Sequence, residues 1–320
     1  MIDSENQKEG WEKQALEKLA FSSVNEQRRA RRWGIFFKSI TFIYLFILLF
    51  IGMGWFDENG VTLSEKHTAI VELRGEISAD SISSADNINE GLRNAFKDQN
   101  TKGVILRINS PGGSPVQAGY INEEIQRLRV KYPNIPLYAV VEDICASGGY
   151  YVAVAADKIF VDKASIVGSI GVLMNGFGFT GTMEKLGIER RLLTSGANKG
   201  FLDPFSPSIL KQKEYAQKML NEIHQQFIQV VRKGRGKRLN EKHEIFNEIF
   251  SGIVWTGQKS IELGLTDALG STEYVAREII KAESVVDFTT KESFIDRFAK
   301  RLGSASTNTL ISASNGLNIQ

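Results

Sequence analysis

The sequence predicts an α/β domain with a largely parallel sheet, carried behind one N-terminal apolar helix. Two observations predict it. From residue 67 onward, short aliphatic or β-branched runs alternate with stretches whose apolar residues recur every three or four positions, the pattern of successive strand–helix units. Ahead of them, residues 33–55 read WGIFFKSITFIYLFILLFIGMGW, an apolar run whose single charge is Lys38.

Composition narrows the class. The chain has 320 residues, 42% hydrophobic and 24% charged, ordinary values for a globular protein. A formal net charge of +2, with no strongly basic segment beyond the N-terminal arginines, argues against a nucleic-acid partner. The one cysteine, Cys145, excludes an internal disulfide and a cysteine-cluster metal site. Three scattered histidines, His67, His224 and His243, argue against zinc and make a Ser-His-Asp triad hard to build. No metal and no cofactor is expected.

Residues 1–32 are polar and mixed in charge, closing on Arg28-Arg29-Ala30-Arg31-Arg32. The run over 33–55 suffices for a hydrocarbon core of about 30 Å at about 1.5 Å rise per residue. Lys38 can snorkel toward the arginines, and Trp33 and Trp55 suit the two interfacial belts. A buried core helix would need polar positions on one face, which this run lacks. A cleaved leader would need a small-residue site, and no A-x-A follows. Four arginines precede the span, whereas Asp57 and Glu58 follow it, so the N-terminus is expected to stay cytoplasmic and residues 56–320 to cross.

Residues 56–66 read as a linker, followed by a strand over 67–73 and a helix over 87–98 with Ile88, Leu92, Ala95 and Phe96 on one face. A strand over 103–109 precedes Ser114-Pro115, an N-cap with proline at the first helical position, and that helix spaces Ala118, Ile121, Ile125 and Leu128 along one face. A strand over 136–141, a helix over 148–156 and a short strand over 158–161 come next, then a glycine-punctuated segment over 165–172. A helix over 179–186 and a strand over 189–194 follow. Ser206-Pro207 opens an amphipathic helix to about 232, with Met219, Ile223, Phe227 and Val230 inward. Residues 255–269 read as a hairpin-like entry and a packing helix, 291–302 as a surface helix with Phe294, Ile295, Phe298 and Leu302 on one side, and 303–320 as disordered.

In parallel sheets ligands bind beyond the carboxyl ends of the strands, which brings the loops at 109–114 and 142–148 toward one edge. In Val141-Glu-Asp-Ile-Cys-Ala-Ser-Gly-Gly-Tyr-Tyr151 a serine sits at a sharp strand-to-helix turn, the setting of an exposed nucleophile. Asn109-Ser-Pro-Gly-Gly-Ser114 offers the N–H of Gly113, which with the N–H of Gly148 could form an oxyanion hole. Taken singly, each motif also reads as a plain turn. Cys145 reads as a small buried hydrophobe rather than a nucleophile.

Together, S-P-G-G after one strand and A-S-G-G after the next resemble peptidase family S49, the signal peptide peptidases of the SppA type, within the ClpP/crotonase superfold of repeated β-β-α and β-α-β units. The resemblance covers residues 67–280. It includes Ala164-Ser-Ile-Val-Gly-Ser-Ile-Gly-Val172, Leu193-Thr-Ser-Gly-Ala-Asn-Lys199 with Pro204-Phe205 after it, and Trp255-Thr-Gly-Gln-Lys-Ser-Ile-Glu-Leu-Gly-Leu-Thr-Asp267. It implies a peptidase domain over 67–282, a C-terminal extension over 283–320, and a serine endopeptidase with a Ser–Lys dyad. The matching residues are Ser147 as nucleophile and Lys199 as general base. Ser169, in the G-S-I-G segment, reads either as an acceptor for the ammonium or as a plain loop hydroxyl. Residues alone do not choose Lys199, since a lone lysine is ordinarily a solvated charge. Where the family often carries an aromatic just before the lysine, this chain has Asn198.

In this family the Ser and Lys of one site come from adjacent units, and the chain shows no internal repeat. The resemblance therefore implies a homo-oligomer, a closed ring of about eight copies, in which the Lys199 at each Ser147 belongs to a neighbour. It also implies a bacterial cytoplasmic membrane with the catalytic domain outside, and substrates that are remnant signal peptides and other short or unfolded chains. Two other classes stand beside it. One is a crotonase-like acyl-CoA enzyme using the same N–H pair to hold an enolate. The other is a non-catalytic membrane scaffold in which Ser147 is only a helix N-cap.

Overall fold

The computed structural model describes residues 3–52 and 65–290, which fall into two units. Trp55, residues 56–64 of the linker expected over 56–66 (Asp57 and Glu58 among them), the helix over 291–302 and the tail over 303–320 lie outside the described residues.

The first unit is described by α1 (Asp3–Gly52), a single 50-residue helix. Its stretch Glu26–Leu49 is, among the described residues, the one helix long and apolar enough to cross a membrane. Trp33, Ile35, Phe36, Phe37 and the residues up to Leu49 present their side chains outward. An apolar surface of that extent needs a cover.

The second unit is built on three parallel strands, β1 (His67–Arg74), β2 (Thr101–Ser110) and β3 (Leu137–Ala146). Val71 stands opposite Leu106, and Leu106 opposite Ala139. β3 runs further than the sequence suggests and serves two neighbours. Its first half pairs with β4 (Lys158–Val161), and Ile144 to Ala146 pair with β5 (Ile166–Gly168). At the edges β6 (Val254–Thr256) lies antiparallel to β5, and β7 (Ala268–Leu269) pairs with β4. The hairpin-like entry expected near Trp255 is thus a pairing with a strand distant in sequence. β8 (Val285–Asp287) pairs in parallel with β1, so residues 285–287, expected in the C-terminal extension, continue the sheet.

Period-two alternation assigns the two faces. Ala69, Val71 and Leu73 of β1, with Val104, Leu106 and Ile108 of β2, face α2 (Ala85–Lys97) and α3 (Pro115–Lys131). Ile88, Leu92, Ile121 and Ile125 close that core, all buried. At about 1.5–3 kcal/mol for each fully buried side chain, this layer is the main stabilising term. The opposite face buries Ile70, Ile105, Val140 and Phe160. Ser84 and Ser114 cap α2 and α3 by accepting from the N–H groups of Asn87 and Gln117, with Pro115 inside the start as expected.

Glu124 of α3 ties these two helices. Arg127 and Arg93 each donate to its carboxylate at 2.7 Å. The Arg127 hydrogen bonds, helped by Arg93, hold its pKa down at about 2 from an ordinary 4.5, against the effect of burial. A depressed folded pKa contributes stability that is present above the unfolded value and lost as pH falls through the folded one. Glu124→Gln is therefore expected to cost about 1 kcal/mol at neutral pH, the scale of a solvent-screened pair. The deficit should shrink between pH 4.5 and 2 in urea melts of variant and wild type.

After β5 come α5 (Thr180–Lys185) and α6 (Leu210–Arg235). Two expectations fail in this stretch. No strand forms over 189–194; every residue there is exposed and pairs with no other strand among the described residues. α6 begins at Leu210 rather than Pro207, because Ser206 donates its hydroxyl to Asp203 at 2.6 Å instead of capping the helix. Phe227 of α6 is buried as expected, with Met219, Ile223 and Val230 half-buried.

Candidate active site

β3 ends at Ala146 and α4 (Gly148–Ala153) begins two residues later, so the chain reverses within Ser147. Ser147 has φ 52° and ψ −122°, a conformation that costs a non-glycine residue about 1–3 kcal/mol and is held by its surroundings. Its N–H donates to the Gly168 carbonyl at 2.8 Å and its carbonyl accepts from the Tyr151 N–H at 2.9 Å. Its N–H is thus consumed in the fold and does not face a ligand. Its side chain makes no cap hydrogen bond, whereas Ser84, Ser114, Thr256 and Ser271 all do. The scaffold reading, in which Ser147 is an N-cap, lacks that contact.

The other loop meets this turn. A parallel bridge joins Ile77 to Gly113: Ile77 N–H donates to the Gly112 carbonyl, and Ser114 N–H to the Ile77 carbonyl, both at 2.8 Å. Gly112 and Gly113 take φ 104° and 146°, values that favour glycine. Space demands glycine as well. A Cβ on Gly112 would lie 2.6 Å from the Gly148 nitrogen and 2.7 Å from Ser147 Cβ, and one on Gly113 would collide with the Ile77 carbonyl. One on Gly148 would lie 3.2 Å from the Gly113 nitrogen, so the two amides are neighbours. Among the described residues neither N–H donates within the chain. Two free N–H groups beside a serine are what an oxyanion needs.

Ser147, Gly113, Gly148 and Ser169 line one groove of about 790 Å³. Its apolar walls are Val116, Tyr151, Val172, Leu173, Ile223 and Phe227, with Tyr151 and Phe227 in ring contact at 5.1 Å. Ser169 also has φ 52°, and its N–H donates to the Ile253 carbonyl. Lys199 is elsewhere. It is exposed and does not line the groove. It sits in a series of turns in which Lys199 N–H donates to the Gly196 carbonyl, Phe201 N–H to Asn198 and Asp203 N–H to Gly200. The segment leading up to it, residues 173–199, presents Phe177, Leu186, Ile188 and Leu193 to the surface.

Cys145 is fully buried, and burial pushes its thiol far above the usual range, which leaves it inert beside the serine. Among the described residues no group of three metal-ligating side chains forms. Sequence reasoning named Gly113 and Gly148 but missed Gly112, Tyr151 and Glu76. Tyr151 lies one helical turn after Ser147 and was locally findable. Gly112 was half-visible in the paired glycines, whereas Glu76 enters through the Ile77 bridge, a contact between distant segments.

A family model for peptidase family S49 matches residues 129–286. A protein of Brucella abortus named Na(+)/H(+) antiporter NhaA is 42% identical over 187 residues, 58% of this chain and 25% of that protein. A putative signal peptide peptidase SppA of Enterococcus faecium is 32% identical over 201 residues, 63% of this chain and 57% of its own length. A putative protease of Synechocystis, slr0021, is 30% identical over 215 residues, 66% of this chain and 73% of its own. The chain thus spans a quarter of the Brucella relative and under two thirds of the Enterococcus one.

Proposed function

The chain belongs to peptidase family S49, and from that premise we propose that it is a membrane-anchored serine endopeptidase in which Ser147 is the nucleophile and Lys199 of a second copy is the general base. The observation that carries the reading is the strained Ser147 turn, set in an apolar groove beside the two unengaged N–H groups of Gly113 and Gly148. Ser147 Oγ attacks the peptide carbonyl carbon while its proton passes to the neutral amine of Lys199. The tetrahedral oxyanion accepts from Gly113 and Gly148. Collapse breaks the C–N bond, the ammonium returns its proton to the leaving amine, and water then hydrolyses the acyl-serine by the same steps.

The exposure of Lys199 away from its own chain's groove supports donation between copies. So do the exposed apolar side chains of the segment leading up to it, which a neighbour would cover. Docking of that kind would also shield the lysine from bulk water. Ser169, in the same groove, is the acceptor proposed for it. α1 would span the cytoplasmic membrane of a bacterium with Arg28, Arg29, Arg31 and Arg32 inside and the groove outside. The substrates proposed are remnant signal peptides and other short apolar chains. The antiporter name of the Brucella relative is not carried over, since a quarter of that protein is matched.

The full-length chain in detergent is expected to cut a short apolar peptide into two fragments and to leave an acyl-CoA thioester unbound, read by mass spectrometry and calorimetry. An intact peptide together with acyl-CoA binding overturns the peptidase reading in favour of the crotonase-like one.

A further inference from the structure

The groove is apolar along most of its length, but one rim carries a charge. Glu76 lines it beside Gly113. Its place is set by the Ile77–Gly113 bridge: Ile77 is fully buried, and Glu76, one residue before it, is exposed on the groove. Glu76 is therefore one residue from the bridge that holds Gly113, whose N–H would meet a substrate carbonyl.

The strand acids Glu72 and Glu142 are neutralised and Glu76 is not. Glu72 of β1 pairs with Arg107 and Arg74, and Glu142 of β3 with Arg74 at 3.0 Å and Arg107 at 3.6 Å. Among the described residues Glu76 enters no ion pair and no hydrogen bond through its side chain. An acid without a partner beside apolar walls complements a cationic side chain next to an apolar one.

We propose that Glu76 is a specificity residue, so that the groove favours peptides with a lysine or arginine close to the bond cut, at the border of an apolar run. The proposal rests on the peptidase reading and goes beyond it by naming the substrate's charge pattern. Lys or Arg would lay its aliphatic stem along Val116 and Pro115, which line the same groove, and present its head to the carboxylate.

The test uses the full-length chain in detergent and three apolar peptides that differ only in carrying Lys, Gln or Glu near the cut, scanned over the adjacent positions on both sides. Wild type is expected to favour Lys over Gln by about fivefold in kcat/KM, the scale of a solvent-exposed ion pair, and to disfavour Glu. That preference should weaken as salt rises. Glu76→Gln should bring the ratio near one, and Glu76→Lys should invert it. A ratio unchanged in Glu76→Gln overturns the proposal. So does an equal fall on all three peptides, which would place the carboxylate in support of the dyad or the fold. If wild type cuts none of them, the peptidase reading fails and this one with it.

Discussion

Ser147→Ala is expected to lower kcat/KM on an apolar peptide by about 10³- to 10⁶-fold, and Lys199→Ala by a similar factor, because nucleophile and base act as one unit. The double variant should be no worse than either single one. The informative result is the mixture. When the two single variants are co-expressed with different tags and purified as mixed assemblies, the Ser147 of a Lys199→Ala copy can meet the Lys199 of a Ser147→Ala copy. In a closed ring of randomly mixed copies, about a quarter of the sites then hold both wild-type residues, and about a quarter of the activity should return. A mixed assembly that stays silent sinks the shared site, since a dyad contained within one copy cannot be restored by a neighbour. The shared site is what the family resemblance implies, and two placements favour it: Ser147 lies in the groove with Gly113 and Gly148, and the exposed Lys199 does not line it.

Arg235→Ala is expected to be the most damaging single change to the fold, costing about 3–5 kcal/mol. The Arg235 side chain is 1% exposed at the end of α6. Its guanidinium forks onto Asp267 at 2.8 and 2.9 Å, while its Nε donates to the Gly264 carbonyl at 2.8 Å. Asp267 also accepts from the Ile159 N–H at 2.7 Å, so one carboxylate joins α6 to β4 and β7. Burial pushes the Asp267 pKa up. The Arg235 hydrogen bonds and charge, the Ile159 N–H and Arg238 outweigh that and lower it. Without Arg235, burial is opposed only by the weaker partners. In a domain of this size the melting temperature should fall by about 10 °C. The sign of the pH effect follows from the lowered folded pKa. The pair's contribution is present above the ordinary Asp value and is lost as pH falls through the folded one, so the variant's deficit should narrow in acid. Asp267→Leu added to Arg235→Met should recover much of the loss, because the orphaned charge rather than the missing contact is costly. Calorimetric melts of the three proteins decide it.

Much of the core was legible in single residues. Ile88, Leu92 and Phe96, or Ile121, Ile125 and Leu128, recur at helical spacing, and β1 alternates between the two sheet faces. Ser114-Pro115 starts a helix because its capping contacts are local. The identical-looking Ser206-Pro207 does not, because Asp203 three residues earlier takes the hydroxyl. The strand expected over 189–194 fails for a related reason: a strand exists only where another accepts its backbone groups. β8 shows the converse. Three residues carry no readable period, yet they form a strand because the edge of β1 offers them partners.

The sequence by itself determined the α/β core, the apolar N-terminal helix, and a serine at a strand-to-helix turn with a glycine pair in a second loop. Those features depend on periodicity and on contacts within a few residues. Only the tertiary structure decided that Gly112 must leave room for the Gly148 nitrogen and that Ser147 spends its own N–H on Gly168. It likewise decided that Glu76 stands on the groove while Lys199 lies outside it. Each of these depends on where a distant segment comes to rest, and the energy of that contact is absent from any local pattern of residues.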